Sequence, residues 1–337
     1  MRRRAQLLTA GFLLLTAIAA WVALGLGVDV SGRRCELDWP RRLLGADPAL
    51  HALLLHLRAP RVVAALLVGA TLGVAGLALQ GLTRNPLADP YLLGVSGGAG
   101  LAVVLLHSVP GLGLALGWGA LPLAAFVGAL AALALVLTLA RTAGGRLSLV
   151  SLLLAGVVVN AFCAALMTLL LTRADPFRLR LTTSWLLGGI GFVGWPELIA
   201  CAGVASAVGL LLRGWAHRLN AFALGTAAAG GVGLDAPRVV REVALLASVL
   251  AAVAVAVAGL IGYVGLIVPP LVRRVVGNDF RATLPAAAAG GALLVLVADT
   301  VARTALAPEE LPVGVLTALI GCPLLLLQLR RQLRAGQ

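Results

Sequence analysis

The residues able to do chemistry are few, and their spacing assembles no catalytic constellation. The four histidines, His51, His56, His107 and His217, stand apart near the ends of apolar runs or in loops. A lone histidine at such a place reads as an interfacial residue. Haem ligation by His51 or His56 is the one metal chemistry left open. The four cysteines, Cys35, Cys163, Cys201 and Cys322, are also far apart, and three of them lie in apolar runs. Without a CxxC or Cys/His cluster, neither a metal site nor a disulfide framework is indicated, and no cofactor is expected. The acids form no close pair within an apolar run. Asp299 alone sits deep in one, LLVLVADTVARTAL, with Arg303 four residues on. That spacing puts both on one helix face, where they either neutralise each other or present a contact at a membrane mouth. There is no GxxxxGK[ST] phosphate loop, so the chain is not expected to be an enzyme that hydrolyses ATP by itself. Energy for any transport must come from a gradient or a partner.

The most unusual spacing lies in residues 79–100, LQGLTRNPLADPYLLGVSGGAG. A long apolar run ends near Gln80 and Gly81. A polar turn, Thr83 to Pro90, holds two prolines, Pro86 and Pro90, that forbid a continuous helix. The next apolar segment begins with little side-chain bulk: Gly94, Ser96, Gly97, Gly98, Ala99 and Gly100. In a membrane such residues let backbones pack closely or line a passage.

The elements that position these residues follow from composition. The chain has 337 residues, 61% hydrophobic and only 12% charged, with a mean hydropathy of +1.05. Apolar runs of about 17–25 residues recur along it, which is the length of a membrane-crossing helix and not of a barrel strand. The expected architecture is an all-α polytopic membrane protein of one domain, 1–337, with about ten transmembrane helices. Ala-Ile-Ala at 17–19 resembles a signal-peptide cleavage site. The apolar spans that follow favour a first transmembrane helix, 7–26, with Arg2–Arg4 on the cytoplasmic side.

The spans alternate with polar stretches. An exterior loop covers 28–59, with a short helix over 49–57. Pro60 suits the first turn of helix 2, which carries a small-residue stripe, Gly69, Gly73 and Gly76. Helices 3, 4 and 5 follow at about 91–107, 114–140 and 147–171, with an interior basic turn at 141–146 and a buried Asn160. Residues 172–196 are polar and interrupted, and the stretch from Ser184 to Gly189 fits a half-helix lining a cavity. Helix 6 covers about 196–213, segment 214–237 leaves the membrane, and helix 7 covers about 238–260. Glycines and Pro269-Pro270 then limit helix 8 to about 262–277. Helices 9 (283–304) and 10 (312–329) meet at a turn holding Glu309, Glu310 and Pro312.

All 26 basic residues are arginine, and the net charge is +13. Apart from Arg2–Arg4 they lie singly or in pairs between apolar runs, which argues against a nucleic-acid partner. With ten spans both termini share one side. Sixteen arginines then fall on that side and ten on the other, so both termini are expected to be cytoplasmic.

The segment from Gln80 to Gly100, with its Asn85-Pro86-Leu87-Ala88-Asp89-Pro90 and Leu93-Gly94-Val95-Ser96-Gly97-Gly98-Ala99-Gly100, resembles the signature of the FecCD-type permeases. These are the membrane subunits of ABC importers for iron–siderophore complexes, haem and cobalamin. Leu57-Arg58-Ala59-Pro60-Arg61, Gly262 to Pro269, Ala298-Asp299 with Ala302-Arg303, and Glu310 to Gly314 match in the same order, so the resemblance covers nearly the whole chain. It implies an ABC importer type II permease fold in a bacterial inner membrane. The implied partners are a second permease copy, two cytoplasmic ATPase subunits, and a periplasmic or lipid-anchored binding protein, with membrane lipid around them.

By position, Arg58, Arg61 and Arg303 match exterior arginines that meet acidic residues of the binding protein. Asn85, Leu87 and the stretch Ser148, Leu149, Val150, Ser151 match the cytoplasmic gate. Segment 219–234, with Leu219, Asn220, Leu224, Gly225, Gly231 and Gly233, matches the short coupling helices that enter the ATPase groove. Relatives usually carry charges after Ala-Leu-Gly in that segment, where this chain has Thr226 to Gly233. The extra glycines should loosen the helix by up to about 1 kcal/mol each. Relatives also often carry His where Pro270 and Phe280 stand. Trp185-Leu186-Leu187-Gly188-Gly189 resembles cobalamin permeases over a short match only, so the chelate is not named by the sequence. On this reading, ATP-driven closure of the ATPases pushes on 219–234 and re-aims helices 3–5 and 8. The alternative is a gradient-driven secondary carrier, for which Asp299 is the one candidate coupling group.

Overall fold

The computed structural model describes residues 2–26, 54–109, 119–141, 148–231, 233–306 and 309–335. The described residues fold almost entirely as helices. They are α1 (Arg2–Gly25), α2 (Ala59–Thr83), α3 (Val95–Ser108), α4 (Ala120–Leu139), α5 (Leu149–Leu171), α6 (Pro176–Leu186) and α7 (Trp195–Gly214). Two short helices follow, α8 (Ala216–Ala223) and α9 (Thr226–Gly231), and then α10 (Ala236–Ala258), α11 (Val264–Val276), α12 (Phe280–Thr304) and α13 (Val313–Ala335). Seven helices are long and apolar enough to cross a membrane, and α3 and the apolar part of α13 are shorter apolar helices. With the 13-residue α11 the count reaches ten. The cysteine Cys35, the histidine His51, most of the 28–59 loop, the start of helix 4 before residue 119 and the turn 142–147 lie outside the described residues.

Helix α2 is the centre of the molecule. It is buried along nearly its whole length and packs against α10, α11 and α12. The expected glycine stripe is what lets it do so. A Cβ at Gly69 would overlap the Gly291 carbonyl of α12, one at Gly73 the Ala287 carbonyl, and one at Gly76 the Gly265 backbone of α11. At the end of α2 a Cβ at Gly81 would run into the ring of Phe280, which is fully buried. Without a hydrophobic effect between helices in lipid, van der Waals contact at such close approach is the main source of association. The outer helices behave differently. Helix α5 exposes Val150, Leu154, Val157, Val158 and Phe162.

Several boundaries differ from the sequence reading, each for a local reason. Helix 3 begins at Val95 rather than 91. Asp89 accepts a hydrogen bond from the Tyr91 N–H (2.8 Å), which stabilises a single 3₁₀ turn over Pro90–Leu93, and Gly94 at φ +87° separates that turn from α3. The half-helix lies earlier than 184–189, as α6. The carboxylate of Asp175 caps it by accepting from the N–H groups of Phe177 (3.1 Å) and Arg178 (3.0 Å). Its last residues and the chain after it line a cavity, as expected. Residues 54–58 form one wide helical turn that runs into α2. Asn160 is only half-buried.

Gly69→Ala is expected to lower the thermal midpoint of the detergent-purified chain, since overpacking at a rigid backbone costs about 1–3 kcal/mol. Gly11→Ala, where a Cβ meets nothing within 4 Å, is the control. Equal midpoints would show that α2 and α12 can separate freely.

Candidate functional site

The candidate residues gather at the two opposite ends of α2. At its first turn, Arg61 is held by two acids from distant parts of the chain. Its Nε donates to both carboxylate oxygens of Asp299 (3.1 and 3.2 Å), and its Nη2 donates to Oδ1 (2.9 Å). Its outward edge donates to Glu310, with Nη1 to Oε1 at 2.9 Å and Nη2 to Oε2 at 3.0 Å. Asp299 is fully buried, whereas the Glu310 side chain is 54% exposed. Arg303 is buried beside them. Its Nη2 donates to the Ala23 carbonyl of α1, and its Nε lies 3.9 Å from Asp299. Arg58 is buried too and donates to the Leu24 carbonyl (3.3 Å).

All three expected docking arginines therefore fall in one cluster. They also have a structural task that spacing could not reveal. The main partner of Asp299 is Arg61 on another helix, and Arg303 four residues away is the weaker contact. Bidentate arginine–carboxylate geometry of this kind is the stronger form of charged hydrogen bond. Once buried, neither charge can lose its partner cheaply.

At the other end of α2 the chain turns. Arg84 takes a left-handed backbone (φ +51°) and ends the helix. The Asn85 side chain accepts from the Leu87 N–H (2.9 Å), so Asn85 builds the turn while Leu87 stands partly exposed. The second stretch expected at the gate begins at Ser148, whose hydroxyl accepts from the Ser151 N–H (3.1 Å) and caps α5. Val150 in its first turn is 75% exposed, and Leu149 is half-buried. Within one copy, no side-chain hydrogen bond among the described residues joins Asn85 or Leu87 to 148–151. The two pieces are linked instead through Asn160 of α5, which sequence reasoning had placed but not connected. Its Nδ2 donates to the Tyr91 carbonyl (2.8 Å) and its Oδ1 accepts from the Gly97 N–H (3.0 Å). Burial pushes the Asp89 carboxyl in this turn up to about 6, against the opposing pull of the Tyr91 N–H.

Segment 219–234, expected to couple to an ATPase, sits beside the same turn, with Gly225 next to the guanidinium of Arg84. Leu219 and Phe222 bury the inner face of α8. Asn220 joins α8 to the start of α12, donating to Asp279 (2.7 Å) and accepting from the Phe280 N–H (2.9 Å). Leu224 is left 81% exposed at the end of α8. Gly225 and Gly233 take positive φ, +122° and +77°, and bracket the short helix α9, which runs to Gly231. The glycines thus confine α9 to six residues without preventing a helix.

Between the two ends lies a cavity of about 590 Å³, lined by Tyr91, Ser96, Leu187, Tyr263, Leu319 and Cys322 among others. Its walls are mainly apolar with a few hydroxyl groups. Two long-range hydrogen bonds lie at or near it: the Tyr91 hydroxyl on its wall donates to the Ile261 carbonyl (3.1 Å), and Gln80 Nε2 donates to the Gly265 carbonyl (2.9 Å). They tie the break between α10 and α11 to the α2–α3 turn. Tyr263, at that break, holds a left-handed backbone (φ +69°) that only surrounding contacts can impose on a tyrosine. No signal in the sequence marked Gln80, Tyr91 or Tyr263 for this role. Among the described residues no group of three or more His, Cys, Asp or Glu could hold a metal ion.

The profile of the FecCD transport family matches residues 8–331. The chain is 41% identical over 290 residues to the hemin transport system permease protein HmuU of Yersinia pestis, covering 85% of each chain. It is 41% identical over 285 residues to the vitamin B12 import system permease protein BtuC of Salmonella paratyphi A, covering 83% of this chain and 84% of that one. Among solved structures it is similar to a metal-chelate type ABC transporter in an inward-facing conformation. The TM-score is 0.84 at 32% identity, over 96% of this chain and 99% of the other.

Two substitutions separate the roles of the acids. Asp299→Ala strands buried arginines and is expected to cost about 3–5 kcal/mol, read as loss of folded protein. Glu310→Gln, at the exposed edge, is expected to cost no more than about 1 kcal/mol. A third concerns pH. The raised carboxyl of Asp89 favours its protonated form in the folded chain. Its contribution to stability is therefore complete below about pH 4 and lost as pH rises through about 6. Asp89→Asn keeps the cap and should flatten that part of the stability profile, while Asp89→Ala should lose about 1 kcal/mol of capping at every pH. An unchanged slope in Asp89→Asn would assign the dependence to another group.

Proposed function

Because this chain belongs to the FecCD transport family, we propose that it is the transmembrane permease subunit of an ATP-driven ABC importer that carries a bulky metal chelate, such as an iron–siderophore complex, haem or cobalamin, into the cytoplasm. The observation that carries this reading is the likeness over 96% of the chain to a metal-chelate type transporter. Permeases named for hemin and vitamin B12 stand at equal identity, so the cargo is left at the level of its class. Choice among chelates falls to the binding protein, since the walls here are apolar and carry few polar groups.

In this proposal two copies form the passage in a bacterial inner membrane, with termini in the cytoplasm. The chain itself is not an enzyme, and two ATPase subunits supply the energy. A binding protein docks at the Arg58, Arg61 and Arg303 end. The internal bonds of Arg61 add a condition: an incoming acid must share or replace Glu310, the exposed partner, while Asp299 stays in place. The ATPases grip 219–234. Their push reaches α12 through the Asn220–Asp279 joint and the turn through Arg84, and so re-aims Asn85, Leu87 and 148–151 at the gate. A gradient-driven carrier would need an ionisable group free to take up and release its coupling ion. Asp299 is committed to Arg61, which weighs against that alternative.

The test is uptake by the chain reconstituted with its ATPase and binding protein. Leu224→Asp is expected to lower ATP-driven uptake about tenfold or more, the effect of removing one well-buried interface anchor, with folded protein unchanged. Parental uptake would remove this segment from the ATPase contact. Unchanged docking in a folded Arg58→Glu plus Arg61→Glu variant would sink the docking assignment. Full uptake without the ATPase would establish the carrier instead.

A further inference from the structure

A cavity of about 780 Å³ lies between the first turns of α1, the last turn of α7 and the α11–α12 turn. Its depth in the membrane can be read from its walls. Two membrane-length apolar segments begin or end on them: Trp195–Gly214 ends one residue past Arg213, and Phe280–Thr304 begins one residue before Arg281. The cavity therefore straddles the boundary between hydrocarbon and headgroups. Trp215, just after α7, marks the same level, with the Arg218 guanidinium 4.5 Å from its ring centre.

The two halves of the cavity differ in chemistry. The membrane side is mainly apolar, formed by Ala10, Leu13 and Pro285 beside Thr9. The water side carries Arg213 and Arg281, both exposed. Neither guanidinium makes a hydrogen bond or ion pair with another described residue. The nearby carboxylate of Asp279 is already engaged with the Asn220 side chain (2.7 Å) and the Arg281 N–H (3.0 Å). The positive-inside tendency explains arginines on this side, but not an apolar cavity below them.

We propose that this cavity holds one anionic phospholipid of the cytoplasmic leaflet, with its phosphate between Arg213 and Arg281 and an acyl chain against Leu13 and Pro285. Arginine forks match phosphate oxygens in paired hydrogen bonds, and basic pockets between membrane helices on this face suit anionic headgroups. The lipid bridges α1, α7 and α12, and it reaches the first residues of α12 where Asn220 attaches the coupling segment. It acts there as a structural clamp beside the joint. The site requires the membrane orientation adopted above but not the transport cycle, so it is testable without cargo, ATPase or binding protein.

Native mass spectrometry of the delipidated, detergent-purified chain provides the test. Phosphatidylglycerol and phosphatidylcholine of the same acyl composition are titrated against it, with and without millimolar inorganic phosphate. One phosphatidylglycerol is expected to bind about tenfold more tightly than phosphatidylcholine. The Arg213→Gln plus Arg281→Gln variant is expected to lose that preference at an unchanged thermal midpoint, and Arg213→Lys plus Arg281→Lys to regain part of it. Equal binding of the two lipids by the parent chain, or a preference that survives in the Gln variant, would overturn the site. Complete displacement of phosphatidylglycerol by inorganic phosphate would make it an anion site with no lipid occupant, and would overturn the proposal equally.

Discussion

The backbones of α2 and α12 touch at Gly69 and Gly291, with no side chain between them. This contact, repeated at Gly73 against Ala287 and at Gly76 against Gly265 of α11, sets the distance between the central helices. Lipid tails are as apolar as leucine, so a wider contact filled with large side chains would gain little over lipid. Close approach gains dispersion that lipid cannot match. The polar bonds then become possible only because the backbones are near. Arg61 on α2 reaches Asp299 on α12, and Gln80 on α2 reaches the Gly265 carbonyl on α11. Each of these falls within about two turns of a glycine contact or next to one.

Much of this was readable in the sequence, because the signals are local. Apolar run length located the spans, and the residues Gly69, Gly73 and Gly76 lie on one face by helical spacing alone. The two prolines and the small residues after them located the break at the end of α2. The motif match placed Arg58, Arg61 and Arg303 together at one end and 219–234 at the other, and the structure brings each set together. What spacing could not supply is partnership across the chain. Asp299 has a tempting neighbour four residues away, yet the bonds go to Arg61, 238 positions earlier. A helix-face argument finds only neighbours on one helix, and a third helix or a loop is invisible to it. The bonds of Asn160 to Tyr91 and Gly97 were missed for the same reason.

The misplaced boundaries have a related cause. A pattern of apolar residues does not show where a helix starts when the capping group lies outside the pattern. Asp175 accepts two backbone N–H groups and starts α6 earlier than expected, whereas Asp89 accepts one, caps the 3₁₀ turn and leaves α3 to start later. Gly94 then lets the chain reverse between a 3₁₀ turn and α3 at no side-chain cost. These polar residues look like surface decoration in a hydropathy reading, yet they decide which way α3 and α6 point.

The arrangement also bears on how a push at one end could reach the other. Helix α2 has 25 residues, about 37 Å at 1.5 Å per residue, and it carries the ionic cluster at one end and the turn beside segment 219–234 at the other. Its closest contacts with α12 are backbone to backbone, at Gly69 with Gly291 and at Gly73 with Ala287, and at the end of α2 the Phe280 ring packs against Gly81. Contacts this close resist separation, so relative motion of the pair is confined to small sliding, the geometry of shear motion. The side-chain bonds at the two ends are what set the register of that slide. Arg61 fixes α2 to α12 through Asp299, and Asn220 fixes α8 to the first residue of α12. A change of partner at either end therefore acts on α12, the element both ends share. For the two ends to be coupled, no continuous wire of polar residues through the apolar middle is needed. A rigid pair of helices with one preferred register suffices, provided each end favours a different one.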